Sequence, residues 1–202
     1  MSGSDYKWWM RISFYFDPIC PWCWTTARWL MEVRASRDII IDWRTFSLAI
    51  KNRDLSGQDR WRAAQDEGLR ALRLVEVARA VSGPEVVEDI YMAMADQWHS
   101  KGERTFDLNL VLEAAGVDSV SVEVADDAAW DELIESSMAG AMEVVGEDVG
   151  VPLIVFEGSE PRGFYGPIMS PAPTGEEAAA AFDHLLGLAS IPGFYELKRS
   201  RT

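Results

Sequence analysis

The sequence predicts an α/β fold: a β-α-β unit, a block of helices, then a closing β-β-α unit. Three observations predict it. Residues 11–16 and 39–45 are β-branched and aromatic runs flanking one amphipathic helical stretch. Residues 58–145 carry apolar positions at helical spacing. Residues 153–165 return to two short apolar runs separated by Gly158 and Pro161. With the helical block removed, the element order is that of a thioredoxin core. The chain therefore reads as a thioredoxin-like fold with an all-helical insertion. Residues 1–50 and 146–202 form the discontinuous core in this reading, and residues 51–145 form the insertion.

Each element has its own signal. The first strand, 11–16, ends at Asp17-Pro18. Pro21 suits the first turn of a helix, where its missing N–H needs no partner. That helix runs to Arg34 with Cys23, Ala27, Leu30 and Arg34 on one face. In the second strand Ile39-Ile40-Ile41 is continuous rather than alternating, which predicts burial on both sides. A helix follows over 58–81. Ser82-Gly83-Pro84-Glu85 matches a capping box for the next one, whose stripe is Val87, Ile90, Tyr91, Met94 and Trp98. A short helix over 107–115 ends at Gly116. Residues 117–124 fit helix and irregular chain equally. A helix over 126–145 turns Trp130, Leu133, Ile134, Ser137, Met138 and Ala141 to one side. Leu153–Phe156 and Arg162–Tyr165 then form a hairpin. Thr174-Gly175-Glu176-Glu177 is a second capping box, opening a helix that buries Ala178, Phe182, Leu185, Leu186 and Ala189. A last short helix is expected over 193–199.

Composition narrows the function. Asp and Glu outnumber Lys and Arg by 33 to 19, a net charge of −14. Such a surface repels phosphate backbones and anionic lipid, so neither nucleic acid nor a membrane is an expected partner. Residues 1–11 carry Asp5 and Lys7 and no apolar leader core, which predicts a cytoplasmic protein. The two cysteines sit together as Cys20-Pro21-Trp22-Cys23. That excludes a disulfide framework and a four-thiolate zinc site. His99 and His184 lack the short spacing of a Cys2His2 site, so no metal is expected, and no flavin either. In a reducing compartment such a pair is catalytic rather than structural.

The pair has a physical logic. At a helix start, free backbone N–H groups and the helix dipole favour the first thiol as thiolate. The second thiol lies one turn inside, within reach of a mixed disulfide on the first. Cys20 is therefore the expected exposed nucleophile and Cys23 the buried resolving thiol. Pro21 and Trp22 supply no cation, which predicts a couple milder than that of strong oxidants. Trp22 offers a flat surface for an organic substrate. Val151-Pro152 precedes the third strand, where a thioredoxin core places a cis-proline beside the thiols. Its role there is to present the Val151 backbone to substrate. Asn52 follows the second strand and reads either as a turn residue or as one that reaches the active-site side of the sheet. Trp29 and Trp43 read as core. His99 reads as a polar residue near a helix end, and Trp61, Trp98 and His99 as part of a roof over the groove.

Phe14-Tyr15-Phe16-Asp17-Pro18-Ile19-Cys20-Pro21-Trp22-Cys23-Trp24 and Ser47-Leu48-Ala49-Ile50 resemble the DsbA-like thioredoxin-fold proteins of actinobacteria, and most of all the mycothiol-dependent nitroreductase family. Gly146-Glu147-Asp148-Val149-Gly150-Val151-Pro152, Phe164-Tyr165-Gly166-Pro167 and Phe194-Tyr195-Glu196-Leu197-Lys198-Arg199 extend the likeness to the C-terminal half. The resemblance implies a cytosolic oxidoreductase whose Cys20 forms a mixed disulfide with mycothiol, a low-molecular-weight thiol. It implies Pro152 as the cis-proline and Asn52 as an active-site residue. The chain departs from the family pattern in one place. The family has a tyrosine shortly after the asparagine, whereas here Asp59, Arg60 and Trp61 fill that stretch and no tyrosine occurs before Tyr91.

The expected activity is thiol–disulfide exchange coupled to mycothiol, on a small-molecule or protein disulfide or a nitro compound. A general protein dithiol–disulfide oxidoreductase is the nearest alternative. A transferase branch of the same fold and a non-enzymatic partner-binding module are the others, and the two cysteines argue against both.

Overall fold

The computed structural model describes residues 10–200 apart from 56 and 58. The expectation about a leader therefore rests almost wholly on positions outside the described residues. β1 (Met10–Phe16) is a central strand. It pairs in parallel with β2 (Ile39–Thr45) and antiparallel with β3 (Leu153–Phe156), so that Phe14 stands opposite Trp43 on one side and Ile154 on the other. β3 pairs antiparallel with β4 (Arg162–Tyr165), giving the order β2-β1-β3-β4. The two inner strands are the unbroken buried runs: Ile12 to Phe16 in β1 and all of β3. β2 corrects an expectation. It is an edge strand, and Ile40 and Ile41 are only half-buried. Its isoleucines supply β-propensity, which does not require two covered faces.

α1 (Pro21–Arg34) packs beside α7 (Gly175–Ala189). The Trp29 indole N–H donates to the Ala178 carbonyl at 3.0 Å, and the Trp29, Phe182 and Phe156 rings follow at 6.0 and 5.8 Å. Trp29 and Trp43 are core, as expected. The helices between β2 and β3 are α2 (Leu48–Lys51), α3 (Asp59–Ser82), α4 (Val86–Ala95), α5 (Leu108–Ala114) and α6 (Asp131–Val145). They share one core with the sheet. α4 inserts Tyr91 among Phe14, Phe16 and Trp43, with ring centroids 4.4–6.4 Å apart. Glu88 of the same helix accepts both Arg34 guanidinium bonds at 2.7 Å and the Trp43 indole N–H at 3.0 Å. From α6, Ser137 donates to the Thr45 carbonyl at 2.7 Å, and the Met138 sulfur accepts the Ser47 N–H at 3.4 Å.

Tertiary packing overrides several local signals. Neither capping box forms. Gly83, at φ +96°, terminates α3, and Glu85 itself becomes the N-cap of α4, with no side-chain cap bond. Thr174 makes no side-chain cap; Glu32 of α1 accepts the Gly175 N–H instead, at 2.9 Å. α4 passes into a π-helical turn, Asp96–Ser100. α6 starts only after 3₁₀ turns at Val122–Asp126 and Ala128–Trp130. Its buried residues are Ile134, Met138 and Ala141, whereas Leu133 is exposed. Residues 193–199 are not helical: Gly193, at φ +80°, breaks the chain, Phe194 sits edge-on to Phe164, and Tyr195 and Leu197 are exposed. Among the described residues, no helix is long and apolar enough to cross a membrane.

Candidate redox site

The cysteine motif sits where β1 hands over to α1. The Cys20 N–H donates to the Asp17 carbonyl at 3.0 Å, turning the chain back. Cys20 is extended and occupies the N-cap of α1, and Pro21 starts the helix. An N-cap side chain accepts a free N–H of the first turn, usually through oxygen. Here the acceptor is the Cys20 sulfur, 3.4 Å from the Cys23 nitrogen. A thiolate accepts that bond better than a thiol does, so the cap itself favours ionisation.

The structure brings Cys20, Cys23, Val151 and Pro152 together. The Cys20 thiol donates to the Val151 carbonyl at 3.6 Å, and the Val151-Pro152 peptide is cis. The Pro152 carbonyl accepts the Gly166 N–H, which ties the loop to the end of β4. Cys20 differs from its expectation, since only 4% of it is exposed. The Val151 carbonyl lies against its sulfur. Pro21 is exposed at the top of the helix and Trp22 is half-buried. Asn52 caps the C-terminal end of α2, whose first N–H, that of Leu48, bonds Asp17 at 2.8 Å. Asn52 is thus linked to the motif through α2 and Asp17.

The two thiols are pushed in opposite directions. The Cys23 thiol, as hydrogen-bond donor to Cys20, together with the nearby backbone N–H groups, lowers the Cys20 pKa against the opposing effect of burial. Burial raises that of Cys23, and its donated bond raises it further. Cys20 is therefore the more readily ionised thiol of the two, and Cys23 holds its proton.

Three residues outside the expected catalytic and substrate-binding set, Asp17, His99 and Tyr91, surround this pair. Asp17 is fully buried beneath the motif. Its carboxylate accepts the Ile19 and Leu48 N–H groups at 3.1 and 2.8 Å, yet burial outweighs both bonds and pushes its pKa up to about 7. His99, on the π-helical turn, holds the Pro18 carbonyl at 2.9 Å and lies parallel to Trp24, with ring centroids 6.2 Å apart. Burial holds His99 below its ordinary pKa, so the ring is neutral at pH 7. Trp98 faces Phe106 in the core at 5.2 Å, and Trp61 is exposed on the first turn of α3. Of the three proposed roof residues, His99 reaches the motif.

Tyr91 is the third. Its hydroxyl is buried with no hydrogen-bond partner among the described residues, and burial holds its pKa far up. A buried unpaired hydroxyl costs about 1–3 kcal/mol. Tyr91→Phe is therefore expected to raise stability by about 1 kcal/mol in urea unfolding. A loss of that size would show that the hydroxyl has a partner.

The geometry can be set beside known proteins. A family model described as "Rv2466c-like: Mycothiol-dependent nitroreductase Rv2466c" matches residues 19–199. The uncharacterized protein Rv2286c of Mycobacterium tuberculosis is 26% identical over 195 residues, which cover 95% of this chain and 82% of that protein. The probable DsbA oxidoreductase SCO1869 from Streptomyces coelicolor is similar at a TM-score of 0.57 and 19% identity, over 88% of this chain and 90% of that one. The cytosolic disulfide reductase DsbM from Pseudomonas aeruginosa, in its structure with GSH, is similar at 0.57 and 14%, over 88% and 100%. The solved structures show the fold: DsbA-like, a thioredoxin core with a helical insertion.

Proposed function

Because the chain belongs to the Rv2466c-like family of mycothiol-dependent nitroreductases, we propose that it is a cytoplasmic thiol–disulfide oxidoreductase working through Cys20 and Cys23 with mycothiol as its thiol partner. One observation carries the reading: the Cys20 sulfur caps α1, 3.4 Å from the Cys23 nitrogen, with its pKa lowered while that of Cys23 is raised. The family name supports mycothiol. The DsbM structure with GSH supports a low-molecular-weight thiol in this fold.

The Cys20 thiolate attacks a disulfide sulfur, forming a mixed disulfide and releasing one thiolate. The Cys23 sulfur then attacks Cys20, closing the Cys20–Cys23 disulfide and releasing the second. Two electrons and two protons pass from the protein to the substrate, and the steps run equally in reverse. Pro21, Trp22, Asn52, Val151 and Pro152 frame the groove in which the partner lies. A nitro compound takes the same two electrons and two protons to reach the nitroso level, with loss of water. The tyrosine that the family pattern carries after the asparagine is missing here, so thiol exchange is the primary activity proposed.

The test is trapping. Cys23→Ser is expected to accumulate a mixed disulfide on Cys20 when challenged with oxidised mycothiol, read by intact mass, and Cys20→Ser to accumulate none. Trapping by unfolded-protein disulfides but not by oxidised mycothiol would replace this reading with that of a general protein oxidoreductase.

A further inference from the structure

We propose that a cavity between the sheet and α6 is a binding site for a neutral polyol, a ring molecule of monosaccharide size that carries hydroxyls around its edge. None of the residues that line it belongs to the redox motif, so this inference stands apart from the reading above.

Four elements build the cavity, which measures about 350 Å³. Tyr15 of β1 and Arg44 of β2 are register partners, so their side chains stand side by side on one face of the sheet. From α6 come Leu133, Ser136, Ser137 and Gly140, spaced i, i+3, i+4 and i+7 and therefore on one face of the helix. α3 closes the cavity with Glu76. Pockets that take small molecules begin at about 300 Å³, so the space suits one ring.

The cavity exposes an unused hydroxyl. Tyr15 is only 8% exposed, and its hydroxyl makes no hydrogen bond among the described residues. Burial holds its pKa up, so it keeps its proton and can donate it in a hydrogen bond. Gly140 leaves this hydroxyl reachable. A methyl group there would meet nothing outside its own helix nearer than the Tyr15 oxygen, 4.0 Å away. The packing of the chain therefore does not require this glycine, which weakens the middle of α6. Its missing side chain provides a way in to the hydroxyl.

The other groups select a neutral ligand. Arg44 spends Nε and Nη2 on one oxygen of Asp42, at 2.8 and 2.6 Å, and keeps Nη1 to donate. Glu76 accepts the Thr45 hydroxyl at 2.5 Å and lies 3.4 Å from Arg79. Each charge at the cavity is thus already matched, so a free anion or cation finds none unopposed. Ser137 donates to the Thr45 carbonyl at 2.7 Å and keeps its lone pairs. Ser136 is exposed, and its hydroxyl makes no hydrogen bond among the described residues. Donors and acceptors are therefore interleaved, which suits hydroxyls, because each hydroxyl both gives and takes a bond. The exposed Leu133 offers an apolar surface to the C–H face of a ring.

The test is an amide NMR titration of the wild type with myo-inositol, a cyclitol that has no anomers. Sodium sulfate serves as the anion, and cyclohexanol as a ring without the polyol edge. Saturable shifts are expected with myo-inositol in the millimolar range, confined to amides near Tyr15, Arg44, Glu76 and residues 133–140, and none with the other two probes. Tyr15→Phe should weaken binding about fivefold. Gly140→Leu, which fills the cavity, should abolish binding without lowering the melting temperature. Saturation by sulfate or cyclohexanol at the same amides overturns the polyol assignment. Shifts elsewhere, or none with any probe, overturn the site and leave a cavity filled by water. Unchanged affinity in both variants also overturns it. If neither variant folds, the wild-type shift map decides. The two thiols enter none of these readouts, so a failure here leaves the Cys20–Cys23 reading standing.

Discussion

Asp17 alone is expected to remove up to about 4 kcal/mol of stability as the pH rises from 4 to 7. An unfolded aspartate titrates at about 3.9. In the folded chain, burial pushes Asp17 up to about 7, against the pull of the Ile19 and Leu48 N–H bonds. Between those values the native state binds more protons than the unfolded one. The slope of unfolding free energy with pH is then negative. The contribution is complete below about pH 4 and is lost by pH 7, because the carboxylate must then be charged inside the core. Three pKa units correspond to about 4 kcal/mol at roughly 1.4 kcal/mol each. Urea unfolding of the wild type between pH 5 and 8 should show most of this fall, and Asp17→Asn should flatten it. A wild-type curve that is level or rises across the window would refute the assignment.

Gly68→Ala is expected to destabilise the protein by about 1–2 kcal/mol, although alanine is the better helix former. A methyl group at Gly68 would stand 2.8 Å from Asp17 Oδ1 and 3.2 Å from the Ile19 side chain. The carboxylate cannot simply swing away, because two N–H groups hold it. Overpacking of this kind costs about 1–3 kcal/mol. The gain in helix propensity returns at most about 1. Gly187 is the internal control: it is also helical, is exposed, and has nothing within 4 Å of an added methyl. Gly187→Ala should stabilise by up to about 1 kcal/mol. Thermal melts of the two variants should therefore move in opposite directions. Movement of both upward would mean that α3 does not press on the motif.

The strands and α1 were legible because their signals are local. A β-branched run, an Asp-Pro stop and a proline at a helix start act within a few residues. The site was legible in its sulfurs and in Val151-Pro152 for a different reason, since the fold fixes where they meet. What was not legible depends on distant chain. Asp17 reads as a turn residue closing a strand. The cover comes from α1, Gly68 of α3 and Tyr91 of α4. The second capping box failed similarly, because Glu32 arrived from another helix to serve Gly175. Cys20 was expected in solvent because the sequence shows the helix start but not the Val151 carbonyl that lies against it. One signal for Asp17 was available: a lone carboxylate within Phe14-Tyr15-Phe16-Asp17-Pro18-Ile19-Cys20, an otherwise apolar run.

The sheet order also has a consequence for how the chain assembles. β1, α1 and β2 are contiguous, so the segment that carries both sulfurs can organise early through short loops. The Val151 carbonyl that faces Cys20 lies 131 positions away, and it arrives only when β3 docks antiparallel on β1. Closing so long a loop costs entropy before any contact rewards it. On a ribosome Cys20 therefore emerges well before the Val151 loop that faces it. Through most of synthesis, its only shelter is the first turn of its own helix.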